Sequence, residues 1–141
     1  MNLNIQKLRD NAVLPSYANP GDAGLDLTVA SVEKVNWFTY KAYFGVAVAV
    51  PTGHYGKLAA RSSIFKQGLT WLANGSGTID NKYRGELIGI FYRIPFFGKM
   101  YKVGEKAAQL IIQPYISVEP KEVKSLSVTK RGKGGLGSSG K

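Results

Sequence analysis

The chain has 141 residues, 44% of them hydrophobic and 20% charged, which is enough for one globular domain with a core of its own. It contains no cysteine and one histidine, His54, excluding disulfides, thiolate metal sites, cysteine nucleophiles and any zinc centre built from several imidazoles. Nineteen Lys and Arg against nine Asp and Glu leave a net charge of +10, which points to an anionic partner.

The opening residues, MNLNIQKLRD, lack the apolar stretch of a secretory signal. No apolar run reaches the length of about 18 residues that would suggest a membrane span. A soluble cytoplasmic protein without a membrane partner is therefore expected. Alternation of Leu25, Leu27 and Val29 predicts a strand, and Val35, Trp37 and Thr39 predict another. Residues 44–50 place Val46, Val48 and Val50 on one face of a third. Residues 62–68 form the best helical stretch, one or two turns long. Residues 87–92 and 107–112 read as short buried strands. Turn signals separate these runs at Asn19-Pro20-Gly21-Asp22, Pro51-Thr52-Gly53, Asn74-Gly75, Pro95, Phe97-Gly98 and Pro114. Many short strands with frequent Gly and Pro turns predict an all-β jelly-roll, barrel or sandwich, over residues 1–128.

Residues 129–141 differ in kind: five glycines, two serines, four cations and one apolar residue, Leu136. Such a segment buries too little to order itself, so a flexible C-terminal tail is expected. Its cations, Lys130, Arg131, Lys133 and Lys141, are the densest basic cluster in the chain. Elsewhere the basic residues are spread out, and no basic stripe interleaved with aromatics is visible along the sequence. A small polyanion is accordingly favoured over nucleic acid.

Five segments combine glycine, acid, hydroxyl or amide in ways that core packing does not require. They are Asp22-Ala23-Gly24-Leu25-Asp26-Leu27, Arg61-Ser62-Ser63, residues 74–85 (NGSGTIDNKYRG), Gly104-Glu105-Lys106-Ala107-Ala108-Gln109-Leu110 and residues 131–140 (RGKGGLGSSG). Each has a plain alternative. An Asp at a strand start is commonly a turn cap, and Arg-Ser-Ser opens many helices. Asn-Gly followed by Gly-Thr-Ile-Asp fits a simple hairpin, and Gln109 fits a satisfied buried amide. Residues 135–141 spell G-x-x-x-x-G-K, but a phosphate-binding P-loop joins a strand to a helix and carries Ser or Thr after its lysine, so a Walker-type ATPase is excluded.

In order, the five segments resemble the five motifs of the trimeric dUTP pyrophosphatases (dUTPases): A-G-Y-D-L, R-S-S/G, G-x-I-D-x-x-Y-R-G, G-D/E-R-x-A-Q-L and R-G-x-G-G-F/L-G-S-S/T-G. The resemblance runs from about Pro20 to Gly140, and the third and fifth segments carry it most specifically.

The resemblance implies a homotrimer of jelly-rolls that hydrolyses dUTP to dUMP and pyrophosphate, with active sites shared between subunits. It implies Asp80 as the general base that activates water for in-line attack on the α-phosphorus, a role open to a carboxylate because no motif holds His or Cys. Arg61, Ser62, Ser63 and Gln109 would bind the phosphates, and Asp26 would reach Mg²⁺ through its water shell. Asn74, Gly77 and Ile79 would hold uracil, with Tyr83 packed under the deoxyribose. The tail residues Arg131, Gly135, Leu136, Gly137, Ser138 and Ser139 would form a lid over bound substrate.

Three departures from the family pattern stand out: Leu136 replaces an aromatic that stacks on the base, Lys106 replaces an arginine and loses its planar fork, and Leu25 replaces a tyrosine. The related dCTP deaminases need a glutamate where this chain has Ile90, and no acid lies between Glu86 and Glu105. A regulatory protein partner of the kind attributed to phage-encoded members remains an open alternative, although no inserted segment is evident.

Overall fold

The computed structural model describes residues 1–68 and 70–135. Among these residues ten strands form in chain order: β1 (Asn4–Lys7), β2 (Leu25–Thr28), β3 (Ser31–Lys34), β4 (Thr39–Tyr43), β5 (Val46–Ala49), β6 (His54–Ala60), β7 (Thr70–Leu72), β8 (Ser76–Ile79), β9 (Ile88–Arg93) and β10 (Lys106–Pro114). A 3-10 helix, Ser62–Gln67, follows β6. It falls where the sequence predicts its short helical stretch. Gly68 ends it with a backbone φ of 69° that a side chain would strain.

The strands pair antiparallel in three sheets, ordered β2-β10-β6-β8, β3-β4-β9-β7 and β1-β5. The architecture is the all-β jelly-roll expected. Alternation sets the faces: Leu27, Leu58 and Leu110 point inward from the first sheet, Tyr40, Ala42 and Phe91 from the second, and Val46 and Val48 from β5. Tyr40 stacks on Phe91 with ring centroids 5.3 Å apart, and Tyr101 meets Phe91 edge-on at the same separation. Burial pushes the Tyr40 hydroxyl up to about 12, while that oxygen accepts from the Tyr101 N–H at 3.3 Å. Glu86 ties the N-terminal segment to this core. Its carboxylate takes both arms of Arg9, at 2.7 and 2.9 Å, and the N–H of Gly45 at 2.8 Å.

Three expectations need correction. Val35 and Trp37 do not continue a strand: Asn36 Oδ1 accepts from the N–H groups of Phe38 and Thr39, both at 2.8 Å, and closes a tight turn between β3 and β4. Residues 44–50 hold a shorter strand than alternation predicts, because Gly45 at φ 71° breaks the run before β5. Asn74-Gly75 is a turn but not a hairpin turn. The strands it joins pair with different partners, β7 with β9 and β8 with β6, so the turn carries the chain from one sheet to the other.

Candidate active site

The first sheet lines up three of the five segments by register. Asp26 on β2 lies opposite Gln109 on β10, and Gln109 lies opposite Ala59 on β6, two residues before Arg61. Inward-pointing Leu27, Leu58 and Leu110 force Asp26, Gln109 and Ala59 onto the outer face. There a cavity of about 300 Å³ is lined by Asp22, Gly24, Asp26, Arg61, Ser62 and Gln109, with Ala18, Ala23 and Ile111.

Asp26 is its electrostatic centre. Only 7% exposed, it accepts from Arg61 Nε at 2.8 Å through Oδ1 and lies 2.9 Å from Lys106 Nζ through Oδ2. The Lys106 contact is an ion pair without hydrogen-bond alignment, so Oδ2 keeps an unspent acceptor direction. Lys106, noted in the sequence for replacing an arginine, thus meets the site through its charge. Arg61 also donates to Ser63 Oγ at 3.3 Å, which holds its guanidinium over the start of the helix. Gln109 donates from Nε2 to the Ala60 carbonyl at 3.3 Å, so its amide is partly satisfied within the sheet. A Cβ at Gly24 would collide with the Gln109 amide, and this close approach explains the glycine in the first segment.

The third segment lies elsewhere in the same sheet. β8 pairs with β6 so that Ile79 sits opposite Gly56 and Gly77 opposite Leu58. Asp80 follows β8 and is exposed, lining a second cavity of about 370 Å³ with His54, Tyr55, Thr78, Asn81 and Tyr115. Asp80 therefore sits at the His54 end of β6 and Arg61 just beyond the Ala60 end, about 20 Å apart at strand rise. A turn from Asp80 O to Tyr83 N–H, 3.0 Å, brings Tyr83 out to solvent, where its hydroxyl donates to the Glu86 carbonyl at 3.1 Å. Gly85 lies directly beneath the Tyr83 ring, leaving no space for a Cβ. Asn74 is exposed at the turn before β8 and Gly77 is half-buried against Leu58.

In the tail, Arg131 Nε donates to Gly134 O at 3.1 Å, a local turn that leaves Arg131 and Gly135 apart from both cavities. Leu136, Gly137, Ser138 and Ser139 lie outside the described residues. The fold thus unites Asp26, Arg61, Ser62, Ser63 and Gln109 and keeps Asp80, with Tyr83 in the turn after it, apart from them within one chain; between these ends the chain runs from Asn74, near the Ala60 end of β6, past Gly77 and Ile79 to Asp80. Sequence reasoning missed His54 and Tyr55 beside Asp80, because β6 carries Gly56 and Lys57 in its middle and shows no clean alternation, and it missed Tyr115, which follows β10 outside all five segments.

Neither cavity holds a cage for a metal. Among the described residues no three His, Cys, Asp or Glu side chains converge. Asp22 and Asp26 are the two carboxylates of the Arg61 cavity, and Asp26 is already engaged by two cations. Such a donor set suits a hard cation that keeps most of its water and takes other ligands from phosphate oxygens.

A dUTPase family model matches residues 10–140. The deoxyuridine 5'-triphosphate nucleotidohydrolase of Hydrogenobaculum sp. (strain Y04AAS1) is 38% identical over 148 residues, covering 99% of each chain. The enzyme of the same name from Clostridium tetani is 41% identical over 143 residues, covering 99% of this chain and 97% of its own. Among solved structures, the Staphylococcus bacteriophage 80alpha dUTPase with dUPNHPP superposes with a TM-score of 0.86 at 27% identity, covering 99% of this chain and 98% of that one.

Proposed function

This chain belongs to the dUTPase family and hydrolyses dUTP to dUMP and pyrophosphate, and we propose that it does so at sites assembled from more than one copy of the chain. The observation that carries the proposal is the separation of Asp80 from Arg61 by the length of β6, about 20 Å. That span keeps the Asp80 carboxylate out of reach of an α-phosphorus whose phosphates sit in the Arg61 cavity of the same chain. A homotrimer of the family's kind brings the third segment of one subunit to the Arg61 cavity of the next.

In this reading the deoxyuridine lies on β8 and the turn before it. The Asn74 side chain and the backbone around Gly77 and Ile79 face uracil, and Tyr83 packs under the sugar, leaving no room for a 2'-hydroxyl. Asp80 accepts the proton of the attacking water as it approaches the α-phosphorus. Arg61, Ser62, Ser63 and Gln109 neutralise and orient the phosphates, which is most of what phosphoryl transfer asks of a protein. Mg²⁺ bound to the substrate would supply charge neutralisation and polarise the phosphate oxygens; Asp26 and Asp22 would hold its water shell. Arg131, Gly135, Leu136, Gly137, Ser138 and Ser139 would close over bound substrate and exclude water. Removal of dUTP in the cytoplasm would limit uracil incorporation into DNA and supply dUMP for thymidylate synthesis.

Two experiments test this reading. dUTP, dTTP, dCTP and UTP are incubated separately with the protein, with Mg²⁺ or with excess EDTA, and the products are separated by chromatography. dUMP and pyrophosphate from dUTP alone, lost with EDTA, is the expected result; deoxyuridine products from dCTP would overturn it. Shared sites are tested by mixing Asp80→Asn with Arg61→Ala subunits after co-refolding. Mixed assemblies should recover activity that neither variant has alone, and absence of recovery would place the whole site within one chain.

A further inference from the structure

Cations scattered through the sequence gather at one end of the second sheet, in a groove that shares no lining residue with either cavity described above. A groove of about 790 Å³ opens there between the 3-10 helix, the end of β9 and the loop leading to β10. Lys66, Arg93, Lys99 and Lys102 line it, and among the described residues Glu105 is its sole acidic side chain. That carboxylate is committed to the Lys102 backbone, accepting from its N–H at 2.8 Å. Tyr101 also lines the groove, only 3% exposed, and its hydroxyl has no hydrogen-bond partner among the described residues.

Large aromatics stand free on the loops that flank this groove. Phe96 is 93% exposed, Phe97 68% and Trp37 62%. The loop that carries the two phenylalanines is held firmly. Ile94 O accepts from the N–H groups of Phe97 and Gly98 at 3.2 and 2.7 Å, and Lys99 N–H donates to Gln67 O at 2.8 Å. Arg93 reaches from the groove to the Gly98 carbonyl at 3.2 Å. The Arg93 N–H, 2.7 Å from Phe38 O, fastens the Trp37 turn beside the same loop, and Lys34 Nζ sits 4.5 Å above the Trp37 ring. Phe96 itself has φ 73°, a left-handed conformation that a bulky L-residue adopts only under constraint from its surroundings. Core packing does not require an aromatic there, since the ring touches water on nearly every side.

We propose that this groove is a second binding site, for single-stranded nucleic acid. Exposed and half-buried cations lining the groove follow a phosphodiester backbone, and flat, solvent-facing rings on the rim give unpaired bases a surface on which to stack. The net charge of +10 supplies the long-range attraction that brings a polyanion to the surface. The arrangement is invisible along the chain because its residues come from the β3–β4 turn, the helix, β9 and the loop after it.

Fluorescence anisotropy of a labelled oligothymidylate with the full chain tests the site. Binding is expected at about 50 mM salt and should weaken at least about tenfold by about 200 mM. The Phe96→Leu/Phe97→Leu double variant keeps apolar bulk and removes the flat rings; it should lose about tenfold in affinity, as should Lys99→Glu/Lys102→Glu. Both variants should turn over dUTP within about twofold of the parent, which also reports that they fold, and a saturating dUTP analogue should leave oligonucleotide binding intact. No binding at low salt would overturn the proposal. So would undiminished binding by the two variants, displacement by the dUTP analogue, or binding to phosphatidylserine vesicles without binding to the oligonucleotide.

Discussion

Arg61 and Asp26, thirty-five residues apart in sequence, meet Nε to Oδ1 at 2.8 Å on the outer face of the first sheet. Lys106 approaches the other oxygen of Asp26 at 2.9 Å, so one carboxylate organises two cations at the cavity assigned to the phosphates. Replacing Asp26 by Asn keeps the shape and removes the charge that holds Arg61 in place. The expected result is a fall in kcat/KM with a stability loss of about 1–2 kcal/mol, moderate because both cations are partly solvated. Urea denaturation alongside kinetics checks this; an unchanged kcat/KM would remove Asp26 from the site.

Asp80 is exposed, and among the described residues its side chain makes no hydrogen bond or ion pair that accounts for its presence after β8. Asp80→Asn should therefore leave the melting temperature unchanged while lowering kcat by about 100-fold or more, the usual scale for loss of a general base. Calorimetric binding of a non-hydrolysable dUTP analogue should persist. Near-normal turnover would assign the base to another group.

Gly24 separates a steric effect from a stability effect. A methyl group there would overlap the Gln109 amide and press on its Cβ at 3.1 Å; the amide can swing away at the modest cost of its 3.3 Å bond to the Ala60 carbonyl. Gly24→Ala should thus raise KM for dUTP by about tenfold through the displaced amide, with a nearly unchanged denaturation midpoint. A large stability loss with normal KM would show that Gln109 acts in the sheet and not on substrate.

The Arg9 guanidinium and the Gly45 N–H hold the Glu86 carboxyl below the usual carboxylate range. Because its folded value is depressed, its contribution is present above the unfolded value of about 4.3 and is lost as pH falls through the folded value. Glu86→Gln should cost about 1–2 kcal/mol at neutral pH. Thermal melts of parent and variant should converge in acid, and a gap that persists at low pH would argue that packing, not charge, sets the effect.

Deletion of residues 131–141 should preserve the β-sheet circular dichroism spectrum and the oligomeric state while lowering kcat/KM by about 100-fold, the scale of a lost positioning element. Full activity in the truncated chain would end the lid assignment.

The strands that sequence periodicity reveals best are those whose alternation is clean. β10 lies within one residue of its expected start at Ala107, and β9 is shifted by a single residue from the 87–92 reading. β6 escaped notice because Gly56 and Lys57 interrupt its pattern. Gly56 is required by packing that no local window shows: Leu110 and Ile79 crowd the place its Cβ would occupy. Trp37 misled in the opposite direction, since an aromatic in an alternating run reads as strand until Asn36 caps the turn around it.

The sequence by itself determined the all-β class, the family and the residue types of each motif, because turn chemistry, period-2 patterning and ordered motifs are local properties of the chain. Tertiary structure decided which of those residues meet. Register across β2, β10 and β6 collects Asp26, Gln109 and Arg61, while the length of β6 holds Asp80 away from them. The same folding gathers Lys66, Arg93, Lys99 and Lys102 into one groove. Such meetings depend on strand pairing over long sequence separations, and only the packing of one particular core fixes that pairing.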